Sequence, residues 1–435
     1  MHNSLLNRES IRNNKKTIKA FRLLLLLLIQ RLTTDLVILY GVCPIYQLGK
    51  NAEINWVSYT LSIAVLVAYP FICPKDKSKL STWAFVILLI ALAVPSTSVY
   101  WIMGKKPGYL MLVLVFFIVL SVVLHTNIQI IKSSFSLKGA NTLLQFLFAI
   151  YVLSCILLIV RRGGIDPRAL DFAQIYSLRA EDNIRGVLGY LKNWTIKVFF
   201  PFFFMYCYKT NKKAFAILCI ILQLMLYLSF GEKTTLFSIA LVFAVYFVFT
   251  RKNESLLVLG FSVAIFIPFL IYLFSGNYSL FAGLTYRFSY IPTGIGYNYF
   301  DFFSSGNPHL WFCETFIGRL FNLTSPYGTT FSYYISGGKG MANTGIIADA
   351  YANGGFIVCI LFALLLGLLF LMYDQLSHHR QYSSVIASVL GYSCICLMDN
   401  GFLMSLVTNG MLLILLLIVS LPNKIPQYER GMSND

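Results

Sequence analysis

Apolar runs long enough to cross a bilayer recur along the whole chain, and they leave room for little besides a polytopic helical membrane protein. Twelve can be marked, at about residues 23–46, 55–73, 82–103, 109–131, 142–160, 193–208, 214–230, 234–250, 255–274, 346–373, 383–398 and 402–421. A run of about 17–25 apolar residues spans the roughly 30 Å hydrocarbon core as a helix, in which every backbone polar group finds its partner within the segment. Composition agrees, since 58% of the 435 residues are apolar and 12% charged, with a mean hydropathy of +0.73, outside the range of a soluble domain of this length. No linker and no long-period repeat divides the chain, so residues 1–435 are expected to form a single all-α membrane domain of about twelve transmembrane helices.

Lysine and arginine set the orientation, because they are retained on the cytoplasmic side. One face collects Arg8, Arg12, Lys15, Lys16, Lys19 and Arg22, then Lys75, Lys77 and Lys79, Lys132 and Lys138, Lys209, Lys212 and Lys213, Arg251 and Lys252, Arg380, Lys424 and Arg430. That face is read as cytoplasmic, with both termini on it. The net charge of +17 is then mostly a topological signature, and nucleic acid is not an expected partner. The basic tail before Leu23, with no small-residue cleavage site after it, reads as an uncleaved signal anchor.

Several chemistries find no support. Nine cysteines fall nearly all within spans, with only Cys313 in an outer loop, so no disulfide framework is expected there. Gly231-Glu232-Lys233-Thr234 lacks the first glycine of a phosphate-binding loop and lies on the wrong face for cytosolic nucleotide. His378 and His379 have no third ligand nearby, and neither a metal nor a cofactor is expected.

Two long segments refuse the membrane, and both fall on the outer face. The first, 161–192, carries Arg161, Arg162, Arg168, Arg179, Arg185 and Lys192. Guanidinium binds phosphate through two parallel hydrogen bonds, which an ammonium cannot do, so arginine here points to an anionic partner. Asp166-Pro167 reads as a helix start, and a helix over about 167–180 would align Arg168, Phe172, Ile175 and Arg179 on one stripe. The plainer reading is a solvated surface, in which Glu181 pairs with Arg185 at i,i+4 or arginines snorkel to lipid headgroups.

The second segment, 275–345, holds eight tyrosines, nine phenylalanines and Trp311. Such rings suit sugar faces as well as an interfacial belt. Arg287, Tyr290 and Trp311 are candidate substrate contacts, and Asp301 and His309 are candidate bases for a sugar hydroxyl, Asp301 alternatively orienting His309. In 343–355, which opens span ten, Asn343, Asp349 and Tyr351 stand among small residues. An acid near the outer end of a span is costly unless paired or wet, which makes Asp349 a functional candidate, and Lys233 at the outer start of span eight is another. Arg31 and Asp35, i,i+4 in span one, read as a structural pair.

With about twelve spans, both ends inside, an arginine-bearing outer loop mid-chain and a larger one before the last three spans, the chain resembles the oligosaccharide repeat-unit polymerases of bacterial surface polysaccharides, the O-antigen and capsule polymerases of the Wzy type. The strings 231–237, 286–303 and 343–355 look like recurring patches of such proteins. The arginine-to-glycine spacing that some members carry is not met, since Arg179 to Gly189 leaves nine residues between and Arg319 to Gly328 leaves eight.

The resemblance implies a glycosyltransferase in the bacterial inner membrane that polymerises undecaprenyl-diphosphate-linked oligosaccharides at the periplasmic face. It also implies a flippase and a chain-length regulator of the same pathway as partners. In that role Arg161, Arg162, Arg168, Arg179, Arg185, Lys233 and Arg287 would meet the departing diphosphate, and Asp301, His309 or Asp349 would take the acceptor proton. An O-antigen ligase, with the same donor, and a lipid-linked oligosaccharide flippase are the alternatives.

Overall fold

The computed structural model describes residues 2–48, 55–126, 128–131, 139–171, 174–338, 344–377 and 381–422. Asn343, Phe172, His378 and His379 lie outside the described residues. Every regular element among the described residues is helical. Nine helices there are long and apolar enough to cross a membrane: Ile18–Tyr46, Leu80–Ile102, Pro107–His125, Ala140–Arg162, Lys213–Phe230, Lys233–Thr250, Glu254–Ser275, Ile346–Ser377 and Phe402–Ser420. Two more apolar helices, Trp56–Ile72 and Ser383–Asp399, have 17 residues each, about 25 Å at the α-helical rise. The expected crossing at 193–208 falls in a helical run over 187–209 that is not among the nine, and Lys192, Lys197 and Lys209 interrupt its apolar character.

Prolines explain three local irregularities. Pro44, Pro95 and Pro201 each follow a π-turn by two residues, at Ile38–Val42, Leu89–Ala93 and Thr195–Phe199. A proline removes the N–H that the carbonyl four residues back requires, and its ring crowds that carbonyl. Widening the preceding turn relieves the crowding without ending the helix.

The chain forms two compact units. The first comprises Met1–Lys75, Phe85–Val123 and Asn253–Leu364, the second Asp76–Ala84, Leu124–Lys252 and Leu365–Asp435. In the first, the Arg31–Asp35 pair expected from the sequence is present. Arg31 Nε lies 2.8 and 3.0 Å from the two carboxylate oxygens, Arg31 also donates to Ser62 Oγ at 3.0 Å, and Trp101 Nε1 donates to Asp35 at 3.2 Å. Arg31 is 2% exposed, so the pair is a fully desolvated one.

Candidate functional site

In the second unit, the arginine-bearing segment is folded down onto the turn before the helix Lys233–Thr250. Asp166 starts it as expected, its carboxylate accepting from the Arg168 backbone N–H at 2.9 Å with Pro167 at the first helical position. The expected continuous helix over 167–180 is not formed. A single 3-10 turn, Pro167–Leu170, ends at an extended Asp171, and a separate helix runs Ile175–Ala180. Of the proposed stripe, Arg168 therefore shares no helical face with Ile175 and Arg179, and Phe172 lies outside the described residues.

Tertiary packing decides this. Ala169, Ile175 and Leu178 are buried, and the Ala169 carbonyl accepts from Tyr227 Oη at 2.7 Å. Ile175 and Leu178 close over Gly231, where φ is +64° and an added Cβ would lie 3.1 Å from the Leu178 side chain. Glycine alone meets both demands there.

Ion pairs brace the fold of this segment. Arg168 grips Asp166 at 2.8 Å and Glu181 at 2.7 Å, and holds both carboxyls below their ordinary range. Those bonds in turn raise the Arg168 guanidinium above its own. Arg162 donates to the Leu178 carbonyl at 2.9 Å and stands 3.8 Å from Glu181. Lys192, which is 8% exposed, sits 2.6 Å from both Asp182 and Glu232 and 4.3 Å over the Phe230 ring. Because the helix ends at Ala180, Glu181 and Arg185 share no helical turn, and Glu181 is engaged by Arg168 and Arg162 instead.

Six cations in 161–192 face four acids, so the brace leaves a surplus. Arg161, Arg179 and Arg185 are exposed and have no ion-pair partner among the described residues. Lys233 is half-buried at the first position of its helix.

In the first unit, the aromatic segment converges on a broken span. Gly354 and Gly355 interrupt the helix Ile346–Ser377 with non-helical backbone, Gly355 at φ +64°. The freed carbonyl of Ala352 accepts from Leu310 N at 2.8 Å, and the buried Asn353 side chain accepts from Phe312 N at 2.8 Å. Asn353 Nδ2 donates to the Asp349 carbonyl at 2.8 Å and approaches the Asp349 carboxylate at 3.3 Å. Irregular backbone in a span is tolerated where protein groups satisfy it, as they do here.

His309 lies beside this break. Its Nδ1 is 3.3 Å from the Ala352 carbonyl, and its ring stacks on Phe303 at 5.3 Å with Trp311 and Tyr351 edge-on. An Nδ1–H given to that carbonyl leaves the Nε2 lone pair available. A Cβ on Gly355 would come 3.6 Å from Nε2, so the glycine keeps the space beside it open. Asp301 is not the residue that orients His309 in this arrangement. Its Oδ2 lies 3.5 Å from Lys105 Nζ, while Oδ1 is buried with no hydrogen-bond partner among the described residues.

Tyr351 packs on Phe300 at 4.7 Å, and Trp311 is exposed. Tyr290 stacks on Tyr286 at 5.7 Å, which stacks on Tyr46 at 3.8 Å, and burial pushes the Tyr286 hydroxyl up to about 12. Arg287 lies half-buried in the same short helix, Tyr286–Ser289.

Glu314 escaped the sequence reading. Its carboxylate accepts from Phe331 N at 2.5 Å, it is close enough to Asp349 for the two acids to repel, and burial raises it above the ordinary carboxylate range. Tyr299 feels both acids, and its hydroxyl accepts from Thr344 at 3.0 Å. The one available signal was that 275–345 contains a single glutamate.

Fold and site together define a polytopic, all-helical membrane protein with an arginine-rich segment and an aromatic, carboxylate-bearing one. Compared with protein-family models, with curated proteins and with solved structures, the chain matches none.

Proposed function

We propose that this protein joins polyprenyl-diphosphate-linked oligosaccharide units into a surface polysaccharide at the outer face of a bacterial inner membrane. The observation that carries the reading is the unequal use of cations in 161–192. Arg162, Arg168 and Lys192 are consumed by acids of the fold, while Arg161, Arg179 and Arg185 remain exposed without one among the described residues. Exposed guanidinium groups on a segment braced by ion pairs suit a diphosphate that gains charge as it leaves.

The reaction forms a bond between an acceptor hydroxyl oxygen and the anomeric carbon of the growing chain. The bond from that carbon to the diphosphate oxygen breaks, its electron pair departs with the polyprenyl diphosphate, and the hydroxyl proton passes to a base. Within the first unit taken by itself, the group best prepared to accept a hydroxyl proton is His309 Nε2, because its ring is fixed by Phe303 and its Nδ1 by Ala352. Glu314 and Asp349, which act electrostatically on each other and on Tyr299, are the second choice. Exposed rings such as Tyr333 and Tyr334 suit stacking on sugar faces.

A strain lacking the gene tests this. Surface lipopolysaccharide or capsule reduced to a single repeat unit supports polymerisation, whereas complete loss of the repeat unit assigns the chain to ligation. One observation favours a flippase as a second reading. Spans are interrupted at Gly354–Gly355 in one unit and at 408–410 in the other, between the helices Phe402–Val407 and Met411–Ser420, and broken helices mark transporter sites. Substrate moved across vesicles without joining would decide for that reading.

A further inference from the structure

The turn that follows His309 has an apolar exterior. Trp311 is 62% exposed, Phe316 45%, Leu320 74%, Phe321 67% and Leu323 44%, with Arg319 exposed among them. Its interior is wound tightly. Gly318 N donates to the Phe312 carbonyl at 3.1 Å and Leu323 N to the Gly318 carbonyl at 2.8 Å, and a Cβ on Gly318 would fall 2.2 Å from the Cys313 carbonyl oxygen. Trp311 and Phe312 both adopt positive φ, 45° and 66°. Bulky residues hold that conformation only where surrounding contacts impose it. The exposed rings are thus displayed by a rigid turn and are not the loose end of a flexible one.

The turn hangs on the broken span. Leu310 and Phe312 bond to Ala352 and Asn353, and Trp311 lies against Gly354, 3.4 Å from where a Cβ would stand. The Phe312 ring then reaches Phe362 at 6.2 Å between centroids, on the part of the helix that continues inward from the break. Immediately after the break, Phe356 and Ile357 are 49% and 77% exposed on a helix long and apolar enough to cross a membrane. The exposed rings of the turn therefore continue the apolar face of a span. Water is a poor solvent for so large a contiguous apolar patch.

We propose that residues 311–323 form a re-entrant turn embedded in the adjoining lipid leaflet, with Leu320 and Phe321 among acyl chains and Arg319 at the level of the lipid phosphates. Arg319 is the exposed charge of that exterior, Glu314 being only partly exposed and engaged by Phe331 N, and a lone exposed guanidinium among apolar side chains fits a phosphate headgroup at the membrane interface. The inference rests on Ile346–Ser377 spanning the bilayer and not on polymerase activity.

The test uses a nitroxide label on Leu320→Cys and, separately, on Phe321→Cys, in the full chain with Cys313→Ser and Cys396→Ser. The protein is reconstituted into vesicles of phosphatidylcholine and phosphatidylglycerol, with labels at Ile357→Cys and Arg185→Cys as references. Collision with oxygen exceeding collision with a water-soluble nickel chelate at 320 and 321, as at 357 and opposite to 185, is the expected result. Nickel dominance at 320 and 321 with oxygen dominance at 357 overturns the embedded turn and leaves the span intact. Nickel dominance at 357 as well overturns both. Shielding from both probes, with dipolar broadening between labels, assigns the face to a second copy and overturns the proposal.

Discussion

Replacing Lys192 by methionine removes the cation that holds Asp182 and Glu232 of the second unit together. The ammonium is 2.6 Å from Asp182 Oδ2 and 2.6 Å from Glu232 Oε1, with side-chain exposures of 10%, 20% and 24% for Lys192, Asp182 and Glu232. Methionine preserves the contact with Phe230 and deletes only the charge, leaving two carboxylates facing each other with little water between them. Removing one partner of a buried pair costs about 3–5 kcal/mol, and the residual exposure of these groups points to the lower end, ~3 kcal/mol. At 1.4 kcal/mol per factor of ten, opening of the segment should become about 100-fold more frequent.

Amide hydrogen exchange of the peptide containing Ile184, whose N–H donates to Asp182 Oδ1 at 3.1 Å, reads that opening in reconstituted protein. Adding Asp182→Asn and Glu232→Gln to Lys192→Met should restore most of the protection, because no uncompensated charge is then left behind. Exchange in Lys192→Met within about threefold of the parent would mean a loss under ~0.7 kcal/mol and would refute the bracing role.

Lysine in place of Arg161, Arg179 or Arg185 should lower polymer formation in cells about tenfold or more at the position that meets the diphosphate, since one charge-assisted hydrogen bond contributes roughly 1.5–3 kcal/mol. Full polymer length with all three replaced, at unchanged expression, would rule out bidentate phosphate recognition by this surplus. Acid should release the brace, because Asp166 and Glu181 are held below their ordinary range by Arg168. Their contribution is complete above the unfolded carboxylate range, at about pH 4, and is lost as the pH falls through their lower folded values. Proteolytic nicking between 163 and 185 should therefore rise only below about pH 4; nicking that rises already at pH 6 would point to other groups. Asp35→Leu strands the buried Arg31 and should destabilise the detergent-solubilised protein by about 3–5 kcal/mol, with Arg31→Met added in the same chain recovering most of it. An unchanged unfolding midpoint in Asp35→Leu would show that Arg31 finds another partner.

Elements that obey local rules were readable in the chain itself. Helical runs follow the apolar stretches, Asp166-Pro167 starts a helical turn, and Arg31 meets Asp35 one helical turn away. What depends on distant partners was not. The helix expected through Asp171 breaks so that Ala169 can meet Tyr227 while Ile175 and Leu178 meet Gly231, a demand set some 60 residues along the chain. Lys192 stood out only as one more cation, and its role is set by Glu232, 40 positions away. Glu314 carried no signal of its own in the aromatic segment, and only the fold brings it within electrostatic reach of Asp349. Among the arginines of 161–192, sequence offered five equal candidates, and the ion pairs divide them into Arg162 and Arg168, which hold the segment, and three that stay exposed.

Reconstitution of the purified protein with polyprenyl-diphosphate-linked repeat units is the most direct test of the proposed chemistry. A ladder of joined units is expected, with one polyprenyl diphosphate released for every bond formed. Lipid-linked units that stay single, in vesicles where they reach the protein, would contradict it.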